Sequence, residues 1–115
     1  FDQQPVEVYS ILSACLDAYR ATKDIQWHEN ASQAFEWFFG RNALGVPVYD
    51  KVTGGCRDGL HIDRLNENQG AESTLAVVQS MLEMKQLARE FQGQLRTNGR
   101  KPAPVLVVES SKKPR

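Results

Sequence analysis

The sequence predicts an all-α protein in which a helical hairpin is followed by a long ordered loop and a long third helix. Apolar residues recur at helical spacing in three separate stretches, which favours three helices. Between the second and third stretch, positions 41–69 are rich in glycine and polar residues and show no helical period. Aromatic residues, Ile and Leu inside this segment argue against disorder. We therefore expect an ordered loop that presents polar groups at a surface.

The first helix is expected to begin at Pro5, because proline suits the first helical position, where its missing N–H needs no partner. Glu7 then complements the positive end of the helix dipole. The apolar stripe of this helix consists of Val8, Leu12, Cys15, Leu16 and Tyr19. A turn is predicted at 21–24, with Asp24 as the N-cap of the next helix.

The second helix is predicted to span 25–39 and to end at Gly40, a natural C-terminal stop. One apolar face is expected to contain Trp27, Ala31, Ala34, Phe35 and Phe38. At the same helical spacing, Trp37 and Phe39 are expected to face elsewhere than this apolar face. The short connection between the first two helices predicts an αα-hairpin.

The third helix is predicted to start near Gly70, after loops that contain at most a short extended piece at 46–49. It carries two apolar stripes: Ala71, Leu75, Val78 and Leu82, and then Val77, Met81, Met84, Ala88 and Phe91. We expect self-association through the second stripe and the outer aromatic side chains of the second helix. Glycine and proline at 93–104 should end the helix. A short strand is predicted at 105–108, within a helical region of 1–109 that is followed by a disordered tail at 110–115.

Length and charge exclude several classes of function. A chain of 115 residues is the size of one ordinary domain. Its 14 basic and 14 acidic residues balance, so no global field attracts nucleic acid or an anionic membrane. The sequence has no apolar run of bilayer-spanning length, which predicts no membrane span. Because Cys15 and Cys56 are too few for a disulfide framework, we expect reduced thiols, with Cys15 buried, and a cytoplasmic location.

The middle of the chain resembles a known family. The motifs are a WFFGRNALG segment starting at Trp37, a YDKVTGGCRDGL segment starting at Tyr49 and a NENQGAESTLA segment starting at Asn66. Together they resemble the C-terminal helical region of bacterial group 1 glycosyltransferases, the retaining enzymes that use nucleotide-sugars. The likeness spans roughly residues 2–87 and is most specific in its middle third. A weaker likeness is to the (α/α)-barrel glycosidases, which carry an Asn-Glu element before their last helix.

The resemblance implies a sugar transferase of carbohydrate or cell-envelope synthesis. The sequence departs from the family in lacking βαβ halves and a glycine-rich donor loop, so this chain by itself is expected to be inactive. Because Phe1 rather than Met opens it, we expect a segment of a longer protein. The chain contains about one and a half helical hairpins. This favours a sector of an (α/α) toroid over a small three-helix bundle, because in a toroid neighbouring hairpins cover each hairpin. The alternatives are a fragment of an (α/α)-barrel glycoside hydrolase and a helical interaction module.

Glu67 and Glu72 are the candidate catalytic residues. Glycoside chemistry commonly needs two carboxylates, one as proton donor and the other as base or nucleophile. Glu67 in the loop and Glu72 in the first turn of the third helix are predicted to face one pocket. The structural alternative is that Glu72 complements the helix dipole while Asn68 caps the helix.

Sugar contacts are predicted from amide, charged and aromatic side chains around the loop. Amides match sugar hydroxyls because both donate and accept hydrogen bonds, although the same amides also satisfy the backbone of irregular loops. The arginines are expected to pair with Glu67, Glu72, Asp58 or Asp63. The candidate substrate-binding residues are Trp37, Asn42, Tyr49, Arg57, Asp58, Asn66, Asn68 and Gln69. No zinc-ligand spacing or phosphate loop occurs, so no metal or cofactor is predicted, and the expected partners are carbohydrate and the rest of the parent enzyme.

Overall fold

A computed structural model describes residues 2–97 of the chain. The predicted strand at 105–108 and the tail at 110–115 lie outside them. The elements, in order, are α1 (Pro5–Thr22), α2 (Ile25–Glu36), a 3-10 turn (Trp37–Phe39), β1 (Gly59–Leu60), β2 (Leu65–Asn66) and α3 (Ala71–Thr97). The described residues therefore belong to the all-α class, as predicted, with one small two-stranded sheet.

Helices α1 and α2 form the predicted hairpin, and local capping groups define its ends. Pro5 occupies the first turn of α1, and the Gln4 N–H donates to Glu7 Oε1 at 3.2 Å. At the other end, Lys23 adopts φ 61° and its N–H donates to the Tyr19 carbonyl at 2.7 Å. Asp24 caps α2 by accepting from the Gln26 N–H at 3.0 Å, which confirms its predicted role.

The second helix ends earlier than predicted. The α-helix stops at Glu36, and Trp37–Phe39 continue as a 3-10 turn that Gly40 closes with φ 119°. A 3-10 turn has 3.0 rather than 3.6 residues per turn, which changes the direction of each following side chain. Trp37 is only 9% exposed and lies in the same core cluster as Phe38, so the prediction that it faces elsewhere than the Phe38 stripe is wrong.

The loop between α2 and α3 contains more regular structure than predicted. β1 and β2 pair antiparallel, with Gly59 opposite Asn66 and Leu60 opposite Leu65. Leu60 also exchanges backbone hydrogen bonds with Gln3, at 3.0 and 2.8 Å. The expected extended piece at 46–49 is represented by an isolated bridge from Tyr49 to Cys56. Two-residue strands are too short to produce an alternating apolar pattern, so the sequence carried no strand signal here.

The hydrophobic core collects residues from the helices and from the loop. One cluster of this core consists of Val8, Trp37, Phe38, Val48, Cys56, Leu60 and Val77. Phe38 is fully buried, and its carbonyl accepts from the N–H groups of both Val48 and Tyr49 at 2.9 Å. The loop thus contributes apolar side chains to the core and pairs its backbone, which satisfies polar groups that would otherwise be buried without partners.

The two stripes of α3 take the opposite roles from those expected for self-association. Val77 is buried in the core and Met81 packs against it, so the second stripe faces inward here. Leu75, Val78 and Leu82 are instead 59%, 38% and 60% exposed; we call these three residues the outer face of α3. The chain divides within α3 into two compact units, of which one runs to Glu83 and the other begins at Met84.

Within residues 2–97, none of the helices combines the length and apolar content that crossing a bilayer requires.

Candidate functional site

An open pocket of about 520 Å³ lies where the 3-10 turn meets the loop. Its volume falls in the range typical of small-ligand sites, ~300–1,000 Å³. Its apolar lining comes from Phe39, Val46, Pro47, Tyr49, Val52 and Leu65, and its charged lining from Asp50, Lys51, Arg57 and Glu67. The pocket therefore combines an apolar surface with a small number of charged groups.

Two aromatic rings form part of the pocket lining. The Phe39 and Tyr49 ring centroids are 5.6 Å apart, with an interplanar angle of 66°. Gly40 reverses the chain after Phe39, and the Tyr49 N–H donates to the carbonyl of Phe38. The backbone therefore holds both rings beside each other. Phe39 remains exposed and Tyr49 half-buried, which leaves aromatic surface for a ligand.

Arg57 lies between two carboxylates of the pocket. Its Nε donates to Glu67 Oε1 at 2.9 Å, and its Nη2 is 3.5 Å from Asp50 Oδ2. The predicted pairing of an arginine with Glu67 is confirmed, and Asp50 is an additional partner. The Glu67 side chain is 74% exposed, and among residues 2–97 only its Oε1 takes part in a hydrogen bond or ion pair.

Asp50 is held by the loop itself. Its Oδ1 accepts from the N–H groups of Val52 at 2.9 Å and Thr53 at 3.4 Å, and its Oδ2 accepts from Gln69 Nε2 at 2.9 Å. The hydrogen bond from Gln69, followed by that from Val52, lowers the Asp50 pKa below its usual value. Asp50 is thus a fixed carboxylate that positions Arg57.

Asp58 has a different role from the predicted substrate contact. Its Oδ1 accepts from the Gly70 N–H at 2.8 Å, at the start of α3, and its Oδ2 accepts from Asn68 Nδ2 at 2.5 Å. The Asn68 hydrogen bond and then the Gly70 hydrogen bond lower the Asp58 pKa. Asp58 therefore supplies the anion at the positive end of α3. Asn68 orients this carboxylate rather than capping the helix itself, and no arginine pairs with Asp58 among residues 2–97.

Three of the predicted site residues line the pocket: Tyr49, Arg57 and Glu67. The other predicted residues lie outside the lining: Trp37, Asn42, Asp58, Asn66, Asn68, Gln69 and Glu72. Their side chains mostly bond within the protein. Asn42 donates to the carbonyls of Trp37 and Val46 at 2.9 and 2.7 Å and accepts from the Leu44 N–H. This is the backbone-satisfying role that irregular loops require.

The side chains of Trp37 and Gln69 also bond within the protein. The Trp37 indole Nε1 donates to Gln3 Oε1 at 3.2 Å, and its ring belongs to the core cluster, so it offers no open face for stacking. Gln69 accepts from Thr53 Oγ1 at 2.8 Å and donates to Asp50. Asn66 Oδ1 accepts from the Asn68 N–H at 3.2 Å. Within the chain, these side chains hold the loop together.

The two candidate catalytic carboxylates are not brought together in the pocket. Glu67 lines it and pairs with Arg57, whereas Glu72 is exposed in the first turn of α3 and outside the lining. The position of Glu72 matches the alternative that it complements the helix dipole. Of the two candidate carboxylates only Glu67 lines the pocket; the second carboxylate of the lining is Asp50, which also pairs with Arg57.

Several pocket residues were missed by sequence reasoning, namely Phe39, Asp50, Lys51 and Leu65. The sequence does contain a pattern that could have identified Asp50. An Asp followed within four residues by Thr53 and Gly54 is typical of a turn in which the carboxylate accepts from nearby backbone N–H groups. Phe39 was assigned to a continuing α-helix, whereas the 3-10 turn places it at the pocket.

Cys15 and Cys56 are both free and buried, which confirms the expectation for Cys15. Burial is the main cause that raises the Cys56 pKa to about 12, so its thiol is neutral and unreactive at neutral pH. No group of three or more His, Cys, Asp or Glu residues within 2–97 is placed to hold a metal ion.

Residues 2–97 thus form a mostly helical structure with an open pocket lined by aromatic, aliphatic and charged side chains. A scan against protein-family models found no family that matches this chain, and a search of the curated proteins found no matching relative.

Proposed function

We propose that this chain is the helical C-terminal region of a group 1 glycosyltransferase and that its pocket contacts carbohydrate. The parent enzyme would transfer a sugar from a nucleotide-sugar to an acceptor in carbohydrate or cell-envelope synthesis. The observation that carries the proposal is the pocket in which Phe39 and Tyr49 lie beside the Asp50–Arg57–Glu67 cluster.

The chemistry of this pocket suits a sugar ring. A pyranose has C–H faces that pack on aromatic rings and hydroxyls that both donate and accept hydrogen bonds. Phe39 and Tyr49 supply the aromatic surface, and the Tyr49 hydroxyl and Glu67 supply polar groups at its edge. A purely hydrophobic small molecule would make no hydrogen bonds with the Tyr49 hydroxyl or with Glu67 Oε2, which a sugar hydroxyl can bond.

Transfer chemistry is assigned to the rest of the parent enzyme. Residues 2–97 contain three helices and one short hairpin, with no βαβ unit to cradle a nucleotide. The chain by itself is therefore expected not to turn over a nucleotide-sugar. The position of Glu67 in the pocket supports the alternative of a glycoside hydrolase fragment. In such an enzyme Glu67 would act as the acid or the base.

The arrangement of helices supports a sector of an (α/α) toroid. The α1–α2 hairpin and α3 bury one side in the core, while the outer face of α3 remains exposed. In a toroid such a face packs against the next hairpin. The same face also supports the alternative of a helical interaction module, which would use it to bind a partner.

Sugar binding is testable on the 115-residue chain itself. Titration of the ¹⁵N-labelled chain with neutral methyl hexosides should shift amide resonances around Phe39, Tyr49 and Glu67. Phe39→Ala should weaken binding about tenfold, because aromatic contacts are worth roughly 1 kcal/mol or more. Trp27→Ala is the matched control, since it removes an exposed aromatic ring that lies outside the pocket. Shifts that spread evenly over the chain, or equal loss in both variants, would count against the pocket as a sugar site.

A further inference from the structure

The pocket has polar groups that the protein leaves free for a ligand. No hydrogen bond or ion pair within residues 2–97 uses the Tyr49 hydroxyl, the Lys51 ammonium or Glu67 Oε2. The Tyr49 hydroxyl can both donate and accept a hydrogen bond, the Lys51 ammonium donates, and Glu67 Oε2 accepts. Such a mixed set matches neutral hydroxyls, which need both kinds of partner.

The charge of Arg57, the half-buried cation of the pocket, is already compensated. Arg57 is the group that would otherwise recognise a carboxylate or a phosphate, because its fork suits bidentate contacts with such anions. Its Nε is bound to Glu67 and its Nη2 faces Asp50. Two carboxylates surround one guanidinium, so the three-residue cluster carries an excess of negative charge. An anionic ligand that approached Arg57 would have to displace one of them.

The two carboxylates differ in how firmly they are held. Asp50 accepts from Val52, Thr53 and Gln69 in addition to facing Arg57, and it is largely shielded from solvent. Glu67 is mostly exposed, and its one contact within residues 2–97 is that with Arg57. Asp50 is therefore a fixed part of the pocket, and Glu67 is the group whose charge a ligand meets first.

We propose that the pocket selects an uncharged sugar ring over an anionic one and that Glu67 is the specificity-determining residue. This inference rests on the proposed sugar-binding function. Glu67 acts in two ways: its contact with Arg57 blocks the guanidinium, and its own charge repels a carboxylate or phosphate on the ligand. Charged groups of this kind determine specificity by penalising the wrong partner.

Lys51 is the one group that opposes this selection. It lies exposed in the pocket lining and has no ion pair among the described residues. Lys51 and Glu67 are both exposed, so water and salt weaken the attraction of the ammonium for an anion and the repulsion by the carboxylate alike. Lys51 and Glu67 have opposite charges on the same lining, so the ammonium offsets part of the repulsion and leaves the contact between Glu67 and Arg57 in place.

The experiment compares matched ligands that differ only in charge. The ¹⁵N-labelled 115-residue chain is titrated with the methyl glycosides of glucose, galactose and mannose and with the corresponding methyl uronides, in which a carboxylate replaces the hydroxymethyl group. For the sugar that binds best, the neutral form is expected to bind at least about tenfold more tightly than its uronide at low salt. This ratio should shrink as salt is added.

Glu67→Gln tests the assigned residue. Glutamine has the same size, and its carbonyl still accepts from Arg57, but the negative charge is gone. The preference for the neutral ligand should fall to within about threefold, mainly through tighter uronide binding. Glu72→Gln is the control, because it removes the same charge from an exposed position outside the pocket. It should leave the wild-type ratio unchanged.

The outcomes separate this inference from the proposed function. Equal binding of both ligand forms by the wild-type chain would overturn charge selection and leave sugar binding standing. An unchanged ratio in Glu67→Gln, or an equal change in Glu72→Gln, would overturn the assignment to Glu67. If neither ligand form shifts the pocket resonances, the proposed sugar-binding function fails and the selection fails with it.

Discussion

At the scale of single residues, the loop depends on side chains and glycines that serve its own backbone. Asn42 and Asp50 each bond to several backbone or side-chain groups of the loop. Gly59 has φ 141°, which residues with a side chain rarely adopt, and a Cβ there would lie 2.4 Å from the Gln3 carbonyl oxygen. This contact lies beside the backbone bridge between Gln3 and Leu60, so Gly59 permits the N-terminal segment to pair with β1.

Gly59→Ala is therefore expected to destabilise the chain by about 2 kcal/mol or more, since both strain and a backbone clash oppose it. Thermal unfolding followed by circular dichroism measures the loss. Gly93→Ala is the control, because Gly93 is helical, has no neighbour within 4 Å of a Cβ and should gain up to about 1 kcal/mol. A Gly59→Ala chain as stable as the wild type would refute the proposed role of the bridge.

At the scale of elements, the part of α3 that ends at Glu83 contacts the rest of its unit through one side. Asp58 binds the Gly70 N–H at its start, Val77 enters the core, and the Tyr9 hydroxyl of α1 donates to Glu83 Oε2 at 2.5 Å. The opposite side presents the outer face, Leu75, Val78 and Leu82. Three large apolar residues on one exposed helix face are characteristic of a surface that another element covers.

We expect the isolated chain to self-associate through this outer face. Burying a leucine is worth roughly 1.5–3 kcal/mol, so Leu75→Gln combined with Leu82→Gln should abolish association at micromolar concentration. Sedimentation equilibrium over a range of concentrations measures the effect. Ile62→Gln provides the comparison, since Ile62 is equally apolar and exposed but lies in the turn between β1 and β2. A wild-type chain that stays monomeric throughout would contradict this prediction.

At the scale of the whole molecule, stability should depend on acidic pH through the carboxylates that hold the loop. Hydrogen bonds lower the pKa of Asp50 and of Asp58 in the folded state. Below the unfolded pKa of about 3.9, the unfolded chain binds protons that the folded chain resists. Their contribution is therefore complete above that value and is lost as the pH falls through the lowered folded pKa.

Acid titration at fixed temperature should show this loss as unfolding that steepens below about pH 4. Asp58→Asn should make the chain less stable at neutral pH and its stability less dependent on pH in this window. Asp63→Asn removes the same charge from an exposed position beside Arg64 and should leave the pH profile unchanged. Identical acid profiles for the wild type and Asp58→Asn would show that the cap of α3 contributes nothing to this dependence.

The sequence by itself determined the features that depend on near neighbours in the chain. Helical periodicity predicted α1, the hairpin with α2 and the start of α3, and Asp24 was identified as a cap because capping involves residues two positions apart. The pairing of Arg57 with Glu67 was among the expected ion pairs. Of the ten candidate site residues named from the loop motifs, Tyr49, Arg57 and Glu67 line the pocket and the other seven do not.

Tertiary structure alone decided which groups separated in sequence became partners. The two stripes of α3 are equally apolar, and only the position of the core made Val77 inward and Leu75 outward. Asp58 caps a helix that begins after Gly70, so no local pattern could reveal it. The pairing of Leu60 with Gln3 joins distant segments through backbone groups, which every residue except proline carries in full. Side-chain patterns report local geometry, whereas these contacts depend on how the chain closes on itself.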